Sequence, residues 1–238
     1  PMYCDIDPSF PNHHPDPTED SNLVEIIKVM KQGHHDVGIA FDGDADRVIA
    51  IDEKGNIIRS DILMTIFLPD IISDSNKDII FDVKCSKSLI DMIQHYNGNP
   101  VMWKTGHSLI KAKMKETGAL FAGEMSGHIF FSDDYFGYDD AIYVALRLLE
   151  VLQRRKIPLS EIIDQVPKYY STPEIRIECI SDEKKVLVVK KMIDFFSSYD
   201  CCLIDGIRIN FKSGWALIRS SNTQPVIVCR FESSSKVE

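Results

Sequence analysis

The hydrophobic positions of this chain change their spacing twice, and the changes divide it into three stretches. In the first, Leu23, Ile26, Ile27 and Met30 recur at helical spacing, with Asn22 and Glu25 in N-cap positions and Gly33 closing the run. An unbroken β-compatible run then follows, Asp36 to Phe41, and a second, Val48 to Ile51, after a short charged segment; both predict buried strands. Glu53-Lys54-Gly55-Asn56 predicts a hairpin turn.

From about residue 60 the spacing alternates between helical and strand-like. Ser60 is expected to cap a helix that Pro69 ends after Leu68. Asp78 to Lys84 predicts a strand, Ser86 to Tyr96 a helix, and Val101 to Lys104 a strand. Helix Ser108 to Glu116, strand Ala119 to Ala122 and helix Asp139 to Arg155 continue the alternation. Strands separated by helices of about ten residues require crossover connections, hence an α/β fold with a mixed, mainly parallel sheet and helices on both faces.

The third stretch starts beyond Ile157-Pro158 and Val166-Pro167. A strand (Glu174 to Ile180), a helix (Asp182 to Phe196) and three strand-like runs (Ile204 to Phe211, Ala216 to Arg219, Val226 to Phe231) predict a C-terminal α+β domain with an antiparallel sheet. The first twenty residues carry Pro8, Pro11, Pro15 and Pro17 and predict an extended segment, because proline lacks a donor and restricts its predecessor.

Between the first two strands lie Asp42, Asp44 and Asp46, at alternate positions of Asp42-Gly43-Asp44-Ala45-Asp46-Arg47. Three carboxylates this close stay ionised together only if a cation offsets their repulsion. An all-oxygen donor set favours Mg²⁺, Ca²⁺ or Mn²⁺ over zinc. Three other readings compete: a solvated acidic turn, an EF-hand and the Asp-x-Asp motif of phosphatases that use an aspartate nucleophile. Asp42, Asp44, Asp46 and Glu53 match EF-hand positions, but Arg47 stands where that loop needs glycine and strands flank it, so the EF-hand is rejected. The phosphatase reading stays open, although Asp46 replaces its usual Thr or Val.

Composition narrows the functional classes. A net charge of −9 with no compensating basic cluster argues against a nucleic-acid partner. No apolar run reaches the ~20 residues of a membrane span. Cysteines 4, 85, 179, 201, 202 and 229 form no C-x-x-C pair, which predicts reduced thiols and a cytoplasmic setting. His13 and His14 are read as surface residues.

Ligands of parallel sheets bind at the carboxyl ends of the strands. Two segments fall there. Trp103-Lys104-Thr105-Gly106-His107-Ser108, with Lys84 at the neighbouring strand end, offers two lysines and a histidine near a helix N-terminus, a setting for an anion such as phosphate. Gly123-Glu124-Met125-Ser126-Gly127-His128 holds a carboxylate, a hydroxyl and an imidazole, groups suited to sugar hydroxyls. In the last stretch, Arg219-Ser220-Ser221-Asn222-Thr223-Gln224-Pro225 offers a guanidinium, hydroxyls, an amide and backbone N–H groups to a phosphate.

With Asp-Gly-Asp-Ala-Asp-Arg, Lys-Thr-Gly-His, Gly-Glu-Met-Ser-Gly-His and Arg-Ser-Ser-Asn-Thr-Gln-Pro in this order, the chain resembles the α-D-phosphohexomutases, in particular the bacterial phosphomannomutase/phosphoglucomutase branch. The resemblance includes Phe10-Pro11-Asn12-His13-His14-Pro15-Asp16-Pro17. It implies the end of a metal-binding domain 2 (1–56), a sugar-binding domain 3 (57–167) and most of a phosphate-binding domain 4 (168–238), without the family's last helix. The Thr-Ala-Ser-His-Asn-Pro phosphoserine motif of the first family domain does not occur in the sequence, so the chain is expected to be an inactive fragment whose missing partner is that domain.

The resemblance further implies reversible transfer between a phosphoserine and a hexose monophosphate, through a bisphosphorylated sugar that turns over in the cleft. Asp42, Asp44 and Asp46 would hold Mg²⁺. Arg47 would face the transferring phosphate, and Lys84 and His107 the reacting end of the sugar, with Lys104 among the substrate-binding residues. Glu124, Ser126 and His128 would read ring hydroxyls, and Arg219, Ser221, Asn222 and Thr223 would grip the other phosphate. The Met in Gly-Glu-Met-Ser-Gly-His matches the mannose/glucose enzymes, and dual specificity is expected. A stand-alone phosphosugar-binding module remains the alternative from another class.

Overall fold

A computed structural model describes residues 1–5, 7–222 and 224–236. Among the described residues, no helix or strand forms before Asp20, as the prolines dictate. A 3-10 turn, Asp20–Leu23, leads into helix α1 (Val24–Met30). Asn22 does not cap it: the residue lies inside the 3-10 turn, and its side-chain amide donates to the Asp16 carbonyl, 2.8 Å away. Strands β1 (Val37–Phe41), β2 (Val48–Asp52) and β3 (Ile57–Ile58) form an antiparallel sheet in that order. As the central strand, β2 is wholly buried. The expectation of a buried strand fails for β1, which lies at the sheet edge with Gly38 its one buried residue. The β2–β3 hairpin is closed by Asp52, which accepts from the backbone N–H groups of Lys54 and Asn56.

Helix α2 (Ser60–Ile71) is apolar almost all round and is accordingly buried. Two sequence expectations fail here. Arg59 takes the N-cap position, while the Ser60 hydroxyl donates to the Glu124 carbonyl. Pro69 does not stop the helix either. It lies in the last turn, where its ring costs a single hydrogen bond, and α2 runs on to Ile71.

Next come β4 (Asp78–Asp82), α3 (Lys87–His95, capped by Ser86), β5 (Asn99–Trp103), α4 (His107–Thr117) and β6 (Phe121–Gly123). Strand β7 (Ile129–Phe131) is not among the predicted elements, because three residues are too few to show a period. Helix α5 (Ala141–Arg155), capped by Asp140, and the short α6 (Leu159–Ile163) follow. The sheet order is β5-β4-β6-β7, parallel except for β7. Alternate residues of β4 bury opposite faces: Ile79 and Phe81 meet residues of α2, α3 and α5, whereas Ile80 meets Ile110 and Met114 of α4. Helices therefore cover both faces, as the spacing predicts.

The C-terminal region consists of β8 (Tyr170–Ser171), β9 (Ile175–Glu178), α7 (Asp182–Phe195, capped by Ser181), β10 (Cys201–Cys202), β11 (Ile207–Asn210), β12 (Gly214–Ser220) and β13 (Val226–Ser233). Its sheet is antiparallel throughout, in the order β10-β11-β12-β13, with both β8 and β9 on the far side of β13. Val83 packs on Trp215 and Leu217, joining this sheet to the end of β4. Buried Arg208 donates to the carbonyls of Val83 (2.7 Å) and Cys85 (3.0 Å) and stacks on Trp215; desolvation pulls its pKa down to about 10. The C-terminal sheet is thus fastened to the β4–α3 loop that carries Lys84.

Candidate active site

The aspartate loop connects β1 to β2, and hydrogen bonds within the loop hold it. Asp42 Oδ1 accepts the N–H groups of Asp46 and Arg47, both at 3.1 Å, and Oδ2 accepts Arg47 Nε at 2.6 Å. Asp42 is buried and Asp44 exposed. Ala45, with φ 58°, takes the left-handed conformation that turns the loop, and its carbonyl receives the N–H of Ala141 at the start of α5. One oxygen from each of Asp42, Asp44 and Asp46 lies within 4.8 Å of the others, a compact set of hard donors that fits a divalent cation. Burial opposes the Asp42 carboxylate, but the Arg47 hydrogen bonds outweigh it and lower its pKa. Asp46 moves up, driven by burial and by its proximity to Asp42. Arg47 also reaches Asp16, 3.3 Å away, which ties in the proline-rich segment.

Glu124 to His128 form the β6–β7 hairpin turn, closed by the Glu124 N–H donating to the His128 carbonyl at 2.8 Å. This turn presses directly on the aspartate loop. Val48 N–H donates to the Gly127 carbonyl at 3.1 Å, and a Cβ on Gly127, whose φ is 115°, would stand 2.9 Å from Arg47 Cβ. Glu124 is buried, with Oε1 accepting the Gly106 N–H and Oε2 3.3 Å from His128 Nδ1. Ser126 Oγ is 3.0 Å from the same ring nitrogen. His128 Nε2 points the other way, to Asp46 Oδ2 at 3.3 Å. Burial works against the His128 imidazolium, yet the Glu124 contact and the charges of Asp46 and Asp139 raise its pKa above the ordinary value.

His107, at the start of α4, stacks on His128 with ring centroids 5.4 Å apart, and its Nδ1 is 3.3 Å from Asp139 Oδ2. Lys104 is exposed on the preceding loop. Lys84 is buried between Asp82 Oδ2 (4.0 Å) and Glu174 Oε2 (3.4 Å). Arg219 is buried with its Nε 2.9 Å from Asp205 Oδ2, an oxygen that also accepts the Thr105 N–H at 3.1 Å. Arg219 Nη2 has no hydrogen-bond partner among the described residues. Asn222 Nδ2 donates to the Thr105 carbonyl at 3.2 Å, and Ser221 is buried in the same turn. Thr223 lies outside the described residues.

The structure thus gathers Arg47, His107, Glu124, Ser126 and His128 around the aspartate loop, and joins the Arg219 turn to the loop before α4. The joining residues are ones the sequence reading did not single out: Asp82, Asp139 and Asp205. Of these, Asp82 is fully buried at the carboxyl end of the central strand β4. It accepts Met125 N–H (3.2 Å), Thr105 Oγ–H (3.0 Å) and Cys85 S–H (3.1 Å). Its place at the end of an apolar strand, the edge where ligand loops gather, was a usable signal.

Family models described as phosphoglucomutase/phosphomannomutase match in three consecutive parts: alpha/beta/alpha domain II at residues 1–55, alpha/beta/alpha domain III at 59–170 and the C-terminal domain at 160–238. The chain belongs to this family. As a phosphoglucomutase/phosphomannomutase family member it is 48% identical over 240 residues to a phosphomannomutase/phosphoglucomutase of Pseudomonas aeruginosa, covering 100% of this chain and 52% of the relative. It is 35% identical to a phosphomannomutase of Methanocaldococcus jannaschii, over 97% of this chain and 51% of the relative. The chain therefore spans about half the length of the curated relatives it matches.

Among solved structures, a family protein from Burkholderia thailandensis superposes with a TM-score of 0.90 at 43% identity, over 98% of this chain and 50% of that one. An N-acetylphosphoglucosamine mutase of Aspergillus fumigatus, solved with GlcNAc-6P and magnesium, shares the fold at a TM-score of 0.63 and 17% identity, over 84% of this chain and 49% of that one. Among the described residues, no helix is long and apolar enough to cross a membrane, and all six cysteines are free thiols.

Proposed function

We propose that this chain supplies the metal-, sugar- and phosphate-binding part of a cytoplasmic phosphohexomutase. The enzyme would interconvert hexose 1-phosphate and hexose 6-phosphate, of mannose and glucose alike, through a bisphosphorylated sugar. The observation that carries this reading is the convergence of distant loops. Glu124 binds Gly106, His128 faces Asp46, and Asp205 holds both Arg219 and Thr105. The three parts are proposed to divide at 1–56, 57–167 and 168–238.

In this reading Asp42, Asp44 and Asp46 hold Mg²⁺, which neutralises charge on the transferring phosphoryl group when bound. Arg47, Lys84 and His107 face that group, with Lys104 at the rim. Glu124, Ser126 and His128 orient the sugar through its hydroxyls, the Glu124 oxygens accepting with their remaining lone pairs. Arg219, Ser221, Asn222 and Thr223 hold the second phosphate, the Arg219 guanidinium through charge-assisted hydrogen bonds. Contacts made to the 3- and 4-hydroxyls do not distinguish mannose from glucose, which differ at C2.

Calorimetric titration of the chain with glucose 1-phosphate and mannose 1-phosphate tests the reading. Comparable affinities are expected, both weakened at least ~10-fold by Arg219→Ala, the loss of a charge-assisted contact. No turnover is expected even with the bisphosphate activator, because the phosphoryl donor lies in another domain. Absence of binding to either sugar phosphate, or turnover by the chain alone, would overturn it.

A further inference from the structure

His128 does more than face a sugar pocket: its ring bridges two sets of carboxylates. On one side Glu124 Oε2 lies 3.3 Å from Nδ1, with Ser126 Oγ at 3.0 Å. On the other, Nε2 stands 3.3 Å from Asp46 Oδ2 and 4.0 Å from Asp139 Oδ2. Donor atoms of Asp46, His128 and Asp139 all fall within 4.8 Å of one another. A carboxylate behind a histidine's second nitrogen is how proteins aim an imidazole at a metal.

A second feature points to a ligand at the same place. The Asp139 side chain is only 7% exposed, with Oδ1 bound by Lys111 Nζ at 2.7 Å. Its Oδ2 is buried and accepts no hydrogen bond of good geometry among the described residues, although His107 Nδ1 is 3.3 Å away. A buried carboxylate oxygen left in this way costs free energy unless something binds it.

We propose that Asp46, His128 and Asp139 form a second cation site, which shares only Asp46 with the aspartate loop and is selective for borderline-soft transition-metal dications such as Zn²⁺ over Mg²⁺. One imidazole and two carboxylates suit zinc, and donor-to-metal distances of about 2.0–2.1 Å around a tetrahedral ion put neighbouring donors about 3.3 Å apart. The His128–Asp46 separation has that value, and the 4.0 Å to Asp139 closes with a small rotation of one side chain. The fourth position is left to water. On the mutase reading above, the bound ion removes Asp46 and His128 from their roles, so it inhibits.

The test uses the chain itself. Zn²⁺ is titrated calorimetrically in excess Mg²⁺, while the histidine ring resonances are followed by NMR. One Zn²⁺ equivalent that excess Mg²⁺ does not displace is expected, with the His128 ring shifting. His128→Gln should weaken Zn²⁺ binding at least ~10-fold, the scale set by losing even a supporting residue of a metal ligand. Asp139→Asn, which preserves shape, should also weaken it, and keeps the test decisive if His128→Gln does not fold. Asp44→Asn, which removes no donor of this site, should retain Zn²⁺ binding far better than His128→Gln does. The proposal is overturned if Asp44→Asn abolishes Zn²⁺ binding while both other variants retain it, since the ion then sits in the aspartate loop. It is equally overturned if the exposed His14, His34 and His35 shift in place of His128. Sugar phosphate binding is measured separately, so failure of the zinc site and failure of the mutase reading are distinguishable.

Discussion

The aspartate loop and the β6–β7 turn are both short charged turns between antiparallel strands, and they are built in opposite ways. The aspartate loop is shaped mainly from within: among the described residues, every hydrogen bond to the Asp42 carboxylate comes from Asp46 or Arg47, within five residues of it. The β6–β7 turn is held from outside. Its Glu124 carboxylate binds Gly106, its Met125 N–H is fixed by Asp82, and its Gly127 lies against Arg47. A turn of the first kind is set by local sequence, while one of the second kind takes its shape from the fold around it.

Removing the outside support should therefore have the largest effect. Asp82→Ala leaves the half-buried Met125 N–H and Thr105 hydroxyl and the buried Cys85 thiol without their acceptor and frees three loops together. A loss of about 3 kcal/mol in urea-unfolding stability is expected, the scale of leaving buried donors unpaired. A loss below about 1 kcal/mol would mean that the turn holds itself and that the contrast is wrong.

Gly127→Ala tests the contact between the two turns. A methyl group there meets Arg47 Cβ and the Val48 nitrogen at a φ of 115° that disfavours a side chain, so neither turn can yield alone. About 2 kcal/mol of destabilisation is expected from the combined strain and crowding, again by urea unfolding. The partner variant Gly33→Ala has open space at φ 79° and carries backbone strain only, so it should cost less.

The ion pairs that join the turns should appear in the pH dependence. His128 in the metal-free fold has its pKa raised above that of the unfolded chain, about 6.5, because Glu124, Asp46 and Asp139 together outweigh its burial. Its stabilising contribution is then complete below pH ~6.5 and is lost as pH rises through the raised value. The stability difference between the native chain and His128→Gln should accordingly shrink with rising pH. A difference that grows with pH would mean that the imidazole is buried in its neutral form.

The same division explains what was legible in the sequence. The strands of the parallel sheet, helices α3, α5 and α7, and the aspartate loop follow local patterns, and the three helices form within about two residues of where the periodicity predicts. The misses have non-local causes. Ser60 is taken from its cap by a carbonyl 64 residues away, and Asn22 by one six residues away. Asp82, Asp139 and Asp205 look like ordinary strand-end or loop aspartates until the chain folds. Glu53 completes an EF-hand pattern by spacing, yet in the fold both its oxygens turn to Ser160, so rejection of that reading has a structural counterpart.

Asp44→Asn should have the smallest effect on the fold and the most specific effect on binding. Asp44 is exposed, and none of the hydrogen bonds that shape the aspartate loop uses its side chain. Stability should stay within ~0.5 kcal/mol of the native chain. Mg²⁺ binding, in contrast, loses a ligand charge from a set of three carboxylates, in which Asp42 Oδ2 is already engaged by Arg47. Mg²⁺ gives up its water reluctantly, so three protein oxygens should bind it only weakly, with a Kd of roughly high micromolar or weaker even in the native chain. Calorimetry should show that binding weaken further in Asp44→Asn and decline with added salt, as charge attraction at an exposed site requires. Nanomolar affinity in the native chain, or an unchanged Kd in the variant, would mean that the ion is held elsewhere and that the self-organised loop is a structural turn.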